Sequence, residues 1–151
     1  MVHTPSDPAR EWYREVDVQA AVVESLVADG WEIVSVADTA TKERGVDVVA
    51  ERGTEKVGIE VKGFPSRGYA DPARAAETKP TSPSAQAGHW LSQAILAAMR
   101  LRGPQPVWRS VIAVPKFPTY ENLYAETAGS LNAADIEVWW VSADGQVIQP
   151  S

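Results

Sequence analysis

A mixed α/β domain, with helices flanking one β-sheet in the order α-β-β-β-α-β-α-β, is the fold class that this sequence predicts. Three observations carry it. Apolar residues recur at helical spacing in three stretches, short apolar or alternating segments lie between them, and glycine or proline punctuates most of the junctions. At 151 residues, 44% hydrophobic and 23% charged, the chain has the length and composition of one soluble globular domain.

Residues 1–11 carry two prolines and no periodicity, and read as a flexible leader to a single domain over 12–151. Over 15–29, Val16, Ala20, Val23, Leu26 and Val27 keep helical spacing, and Gly30 is a natural stop. WEIVSVAD at 31–38, VDVVA at 46–50 and KVGIEVK at 56–62 read as three strands, the last two joined through the turn ERGTE. Residues 63–83 hold Pro65, Pro72, Pro80 and Pro83 and read as a long loop, a length usual only for functional or disordered segments. A second helix is expected from an N-cap at Ser84 to Gly103, then a strand at 107–115 and a third helix within 120–135. IEVWWV at 136–141 is a further strand, and Ala143, Asp144 and Gly145 turn the chain into a short last one. Of Trp139 and Trp140, alternation sends one to each face of the sheet, and the third helix is the simplest cover for the outer one.

Several chemistries are set aside by composition. With no cysteine there are no disulfides or thiolate metal ligands, and His3 and His89 as the only histidines disfavour zinc. His89 reads as part of a solvated helix face. The net charge of −6 argues against a protein that coats nucleic acid by bulk attraction, but not against an enzyme whose carboxylates hold a cation. Apolar runs fall short of bilayer length and residues 1–16 lack the apolar stretch of a secretory signal, so a cytoplasmic protein without membrane segments is expected.

Chemistry concentrates in GVDVVAERGTEKVGIEVKG at 45–63. Alternation in the third strand puts Val57, Ile59 and Val61 on one face and Glu60 and Lys62 on the other, about 7 Å apart by the strand rise. Asp47 heads the neighbouring strand and can approach Glu60 across the hairpin. Two facing carboxylates repel unless a cation lies between them. An all-oxygen set of Asp47, Glu60 and the Val61 carbonyl suits magnesium or manganese. Such an ion activates water and offsets charge on a phosphoryl oxygen, while Lys62 orients that water or neutralises the developing charge.

These residues, G-V-D at 45–47 and I-E-V-K at 59–62, resemble the PD-(D/E)XK nuclease superfamily with its restriction-endonuclease-like fold. The likeness spans about residues 15–141, with Val46 where that family usually has proline. It implies a restriction-endonuclease-like mixed β-sheet flanked by helices, a Mg2+ or Mn2+ cofactor and a DNA substrate. The implied activity is that of an endonuclease of restriction, repair or resolvase type. The first helix of such enzymes often carries an acid toward the metal. Here Gln19 stands on the inward stripe and Glu15 one turn earlier, so either Glu15 supplies that acid or two carboxylates and the carbonyl suffice. The sequence 86–90, Q-x-x-x-W, is similar to the Q-x-x-x-Y element of RecB-like nucleases and brings Gln86 toward the site. In the long loop Arg67, Tyr69, Arg74 and Lys79 form a basic and aromatic group suited to binding phosphates and stacking on a base.

Each of these residues has a plainer reading. An isolated E-x-K is usually a solvated ion pair, Asp47 can cap its own strand, Gln19 can give its amide to the backbone, and the loop charges can be ordinary surface. The competing function is a catalytically inactive module of the same fold, acting in nucleic-acid binding or protein assembly. So small a chain has no obvious sequence-reading domain, so any target specificity has three candidate sources: the long loop, a homodimer or a partner protein.

Overall fold

The computed structural model describes residues 12–38, 45–65 and 82–150. Helix α1 (Glu15–Ala28) forms where Val18, Val22 and Leu26 fall one turn apart and are wholly buried, each burial worth roughly 1.5–3 kcal/mol. Glu15 and Asp17 occupy its first turn, where the helix dipole favours negative charge. Gly30, at φ 85°, ends it: the Gly30 N–H donates to the Val27 carbonyl and the Trp31 N–H to that of Leu26. That closing pair needs the left-handed backbone glycine adopts freely, and it drops Trp31 into the core.

Strands β1 (Glu32–Val36), β2 (Val48–Arg52) and β3 (Glu55–Val61) follow as an antiparallel meander. A two-residue turn at Gly53 and Thr54, with Gly53 at φ 61°, sets the β2–β3 register and pairs Val48 with Ile59. Helix α2 (Pro83–Arg102) then carries the chain to β4 (Arg109–Pro115), parallel to β3, and α3 (Pro118–Ala133) carries it to β5 (Ile136–Val141), parallel to β4. The two-residue β6 (Val147–Ile148) pairs antiparallel with β5. The strands lie in the sheet in sequence order, from β1 to β6. The architecture is the expected mixed α/β one, with the expected order of elements.

The core has two halves. On one face α1 packs over Val48, Ala50, Val57, Ile59, Val61, Val111, Ala113 and Trp139. On the other, Ala87, Leu91, Ala94 and Ala98 of α2, with Tyr120 and Leu131 of α3, pack over Ile112, Val114, Ile136 and Val138. Trp139 and Trp140 divide as alternation requires: the former is fully buried under α1, and the latter meets Tyr124 of α3 edge to face.

Several boundaries moved: β1 is trimmed to Glu32–Val36, and β2 runs Val48–Arg52 in place of 46–50, so that Asp47 precedes it. Ser82, not Ser84, caps α2, its hydroxyl accepting from the Ala85 N–H at 3.2 Å, because Pro83 at the first helical position needs no N–H partner. Strand β4 starts at Arg109, since Val107 is 88% exposed and has nothing to pack on. Helix α3 starts at Pro118, two residues before the expected segment, again with proline in its first turn.

Candidate active site

Alternation along β3 turns Val57, Ile59 and Val61 into the α1-side core and leaves Gly58, Glu60 and Lys62 on the α2 side. Since Val48 faces Ile59, Asp47 stands opposite Glu60 at the end of the hairpin. Asp47 is fixed from two directions. Its Oδ2 accepts the Val61 N–H at 2.7 Å, and the amide of Gln19 donates to its backbone carbonyl at 3.4 Å and to that of Ala37 at 3.0 Å. The N–H and C=O of one strand residue point to the same side, so the Val61 carbonyl also faces Asp47. The next peptide turns the other way, the Lys62 N–H donating to Ala113 of β4.

Glu15 reaches this group from the start of α1. The Phe64 N–H donates to the Tyr13 carbonyl at 2.9 Å, which ties the entry to the helix against the end of β3. Gly63 permits the approach: a Cβ there would lie 2.5 Å from the Glu15 nitrogen and 2.7 Å from the Tyr13 oxygen. Tyr120 of α3 pins the same point, its hydroxyl donating to the Gly63 carbonyl at 2.7 Å.

Electrostatics show how closely these groups are coupled. Burial, then the Asp47 charge, push Glu60 from 4.5 to about 7, with Lys62 offsetting part and Glu15 adding to the rise. Asp47 is also raised, by burial, against the opposing Val61 N–H, the Lys62 charge and a hydrogen bond from Glu60. Glu15 is raised by burial and by Asp47, with Lys62 opposing. Three carboxyls and one ammonium therefore share one field, in which burial and the neighbouring charges hold Glu60 well above its ordinary range.

Among the described residues, no group of three or more His, Cys, Asp or Glu side chains is arranged to hold a metal ion. The donor chemistry nonetheless fits a hard divalent cation that keeps most of its water, which needs only one or two carboxylates. Asp47, Glu60 and the Val61 carbonyl would hold it, and its charge would offset the repulsion between the two carboxylates. The Gln86 Oε1 is buried without a hydrogen-bond partner among the described residues, about two and three turns along α2 from Gln93 and Ala97, which line the space beside Glu60. Helix α2 runs back along β3 with Leu101 over Gly58, so its first turn, carrying Gln86, lies toward the Lys62 end of the strand.

Of the residues singled out in the sequence, Asp47, Glu60, Lys62 and Glu15 are thus brought together. Gln19, 6% exposed, holds the backbone on which Asp47 sits. Arg67, Tyr69, Arg74 and Lys79 lie outside the described residues. Sequence reasoning missed two contributors, Gly63 and Tyr120. A glycine directly after the E-x-K strand was the available signal for the first.

No family model and no curated protein matches this chain. Among solved structures, the crystal structure of an XisH family protein from Nostoc punctiforme PCC 73102 is similar at a TM-score of 0.49 and 19% identity, covering 89% of this chain and 96% of that one.

Proposed function

We propose that the protein is a metal-dependent nuclease on a restriction-endonuclease-like fold, hydrolysing phosphodiester bonds in DNA as an endonuclease of restriction, repair or resolvase type. The observation that carries this reading is the convergence of Asp47, Glu60, Lys62 and Glu15 at one end of the β2–β3 hairpin. Burial first, and then the Asp47 charge, raise Glu60 to about 7 there, a cost that a purely structural hairpin has no reason to bear.

Asp47, Glu60 and the Val61 carbonyl would hold magnesium or manganese, which when bound would supply an activated water and a positive charge to offset the negative charge on the phosphoryl group. Asp47 is kept at its post by the Val61 N–H and by Gln19 beneath its backbone. Lys62, on the same face as Glu60, holds its ammonium toward the phosphate and offsets the charge that grows there during attack. Glu15 adds a third negative charge beside Asp47 and Glu60, which would favour a cation at the site, and its carboxylate can take a proton from an attacking water. Gln86 offers its unpartnered carbonyl oxygen to a water or sugar hydroxyl at the Lys62 end.

Purified protein incubated with linear, nicked, branched and single-stranded DNA and magnesium or manganese tests this directly. Cleavage that EDTA abolishes and that Lys62→Ala lowers by about two to three orders of magnitude is expected. Failure to cut any of the four with either metal would leave the inactive module as the better reading. Full turnover by Lys62→Ala would remove that lysine from the mechanism.

A further inference from the structure

Helix α2 covers β3 and β4 but not the same face of β1 and β2. Gly58 allows Leu101 to press onto β3, a Cβ there lying 2.5 Å from the Leu101 methyl, and among the described residues no helix covers this face of the sheet beyond. The result is a groove of about 840 Å3, floored by Val49 and walled on the helix side by Leu96, Ala97 and Leu101, with Glu60 in its lining. Arg100 and Trp108 also line it. Leu96 is 49% exposed and faces this space in place of the core.

Resting on the nuclease reading, we propose that this groove receives the unpaired bases next to the phosphate being cut, so that the preferred substrate is a single strand or the splayed end of a duplex. The occupant follows from the chemistry of the walls. The groove is continuous with Glu60, so chain flanking a phosphate at the carboxylates must enter it or turn away. Its lining is apolar apart from Ser35, Glu60, Gln93, Arg100 and Gln105, a poor match for a duplex that presents two charged backbones and hides its bases. They match the π-faces of exposed bases, which stack on aromatic and apolar side chains at about 1–3 kcal/mol each. Arg100 supplies a cation for the accompanying phosphate. Trp108 lies near the Lys56 end of β3, its ring 4.8 Å from the Lys56 nitrogen, and Lys56 precedes Glu60 by four residues. The run between them is about 13 Å by the strand rise, room for roughly two to four nucleotides.

Two oligonucleotide substrates of the same sequence, one fully paired and one splayed at an end, decide the matter, with Leu96→Glu as the groove variant. Met99→Glu is the control, because Met99 is similarly exposed at 47% on the same helix but does not line the groove. Wild type and Met99→Glu should cut the splayed substrate at least tenfold faster than the paired one. Leu96→Glu should lose that preference while retaining its melting temperature. Equal cutting of both substrates by wild type, or an intact preference in Leu96→Glu, would overturn the proposal. So would an equal loss in Met99→Glu, or a dimer that Leu96→Glu dissociates without altering strand preference. Binding is measured separately by fluorescence anisotropy of a labelled single-stranded oligonucleotide. If wild type cuts nothing but Leu96→Glu weakens this binding tenfold or more, the nuclease reading fails and the groove stands. If it cuts nothing and binding is unchanged, both fall.

Discussion

Replacing Asp47 with asparagine should make the metal-free protein more stable, an unusual result for a residue so firmly held. Asparagine keeps an oxygen to accept the Val61 N–H, now made at 2.7 Å, and offers its amide hydrogens to Glu60 in place of a repelling charge. The magnitude follows from Glu60, whose pKa of about 7 stands against 4.5 for the free side chain. A carboxyl raised by folding contributes stability that is fully present below about pH 4.5 and is lost as pH rises through about 7. At 1.36 kcal/mol per pKa unit, holding Glu60 ionised above that range costs on the order of 3 kcal/mol. Burial is the first cause and Asp47 the second, and solvent at this part-buried site screens both, so neutralising Asp47 should return about 1 kcal/mol. For a chain of 151 residues that is about 2–4 °C in Tm at pH 8 with EDTA, shrinking at pH 5 where Glu60 holds its proton. Manganese should reverse the order. Binding only to the folded wild type adds about 2.7 kcal/mol at a hundredfold excess over Kd, and the asparagine variant should gain much less. Paired thermal melts at the two pH values, with EDTA and with stepped manganese, provide the assay. Asp47→Asn melting at or below wild type at pH 8 in EDTA, with an equal response to manganese, would refute the reasoning.

Glu15→Ala should lower cleavage with little change in Tm, whereas Gln19→Ala should lower both, since it strips the Ala37 and Asp47 carbonyls of a buried donor; the reverse pattern in kcat and melts would exchange their roles. Gly63→Ala should cost roughly 1–3 kcal/mol by driving a methyl group into the backbone of Tyr13 and Glu15, with activity falling further than stability explains; equal activity per folded molecule would show that the position of Glu15 is immaterial. Away from the site, burial pushes the Glu137 carboxyl up, but its two bonds from Arg109 at 2.8 and 2.9 Å and one from Trp139 overcome this and hold it low. A lowered carboxyl stabilises above its unfolded pKa and loses that contribution as pH falls through the folded value. Glu137→Gln should therefore cost about 1 kcal/mol at pH 7 and progressively less as the pH falls below 4.5, as read by urea denaturation at neutral and acid pH.

What the sequence disclosed was local. Period-two alternation placed Glu60 and Lys62 together, and the short turn at Gly53 brought Asp47 opposite Glu60, because register in a tight hairpin is set by the turn itself. Whether Gln19 acts on a metal or on the backbone was not legible. Its partners at Ala37 and Asp47 lie 18 and 28 residues away, and only the docking of α1 on the sheet selects them. The same docking decides for Glu15, which local periodicity could place on a flank but not at the end of β3. The cap of α2 turned on two serines separated by a proline, which favours Ser82 once the first helical position is recognised. The groove had no signature at all, because it is made by the part of the sheet that α2 fails to cover.

The sheet's strand order, identical to the order of the chain, bears on how the protein is made. No strand has to be inserted between two already in place: β4 joins the free edge of the meander, β5 joins β4, and β6 joins β5. A chain leaving the ribosome N-terminus first can add each strand to an edge that already exists, keeping the separation between partners short and closure costs low. Asp47, Glu60 and Lys62 emerge within one hairpin, so the acidic pair meets early, before α2 and α3 arrive to bury the face it stands on. The repulsion between the two carboxylates is then paid mostly at the end of folding, when water is expelled, and destabilisation by Glu60 should appear chiefly as faster unfolding and only slightly as slower folding.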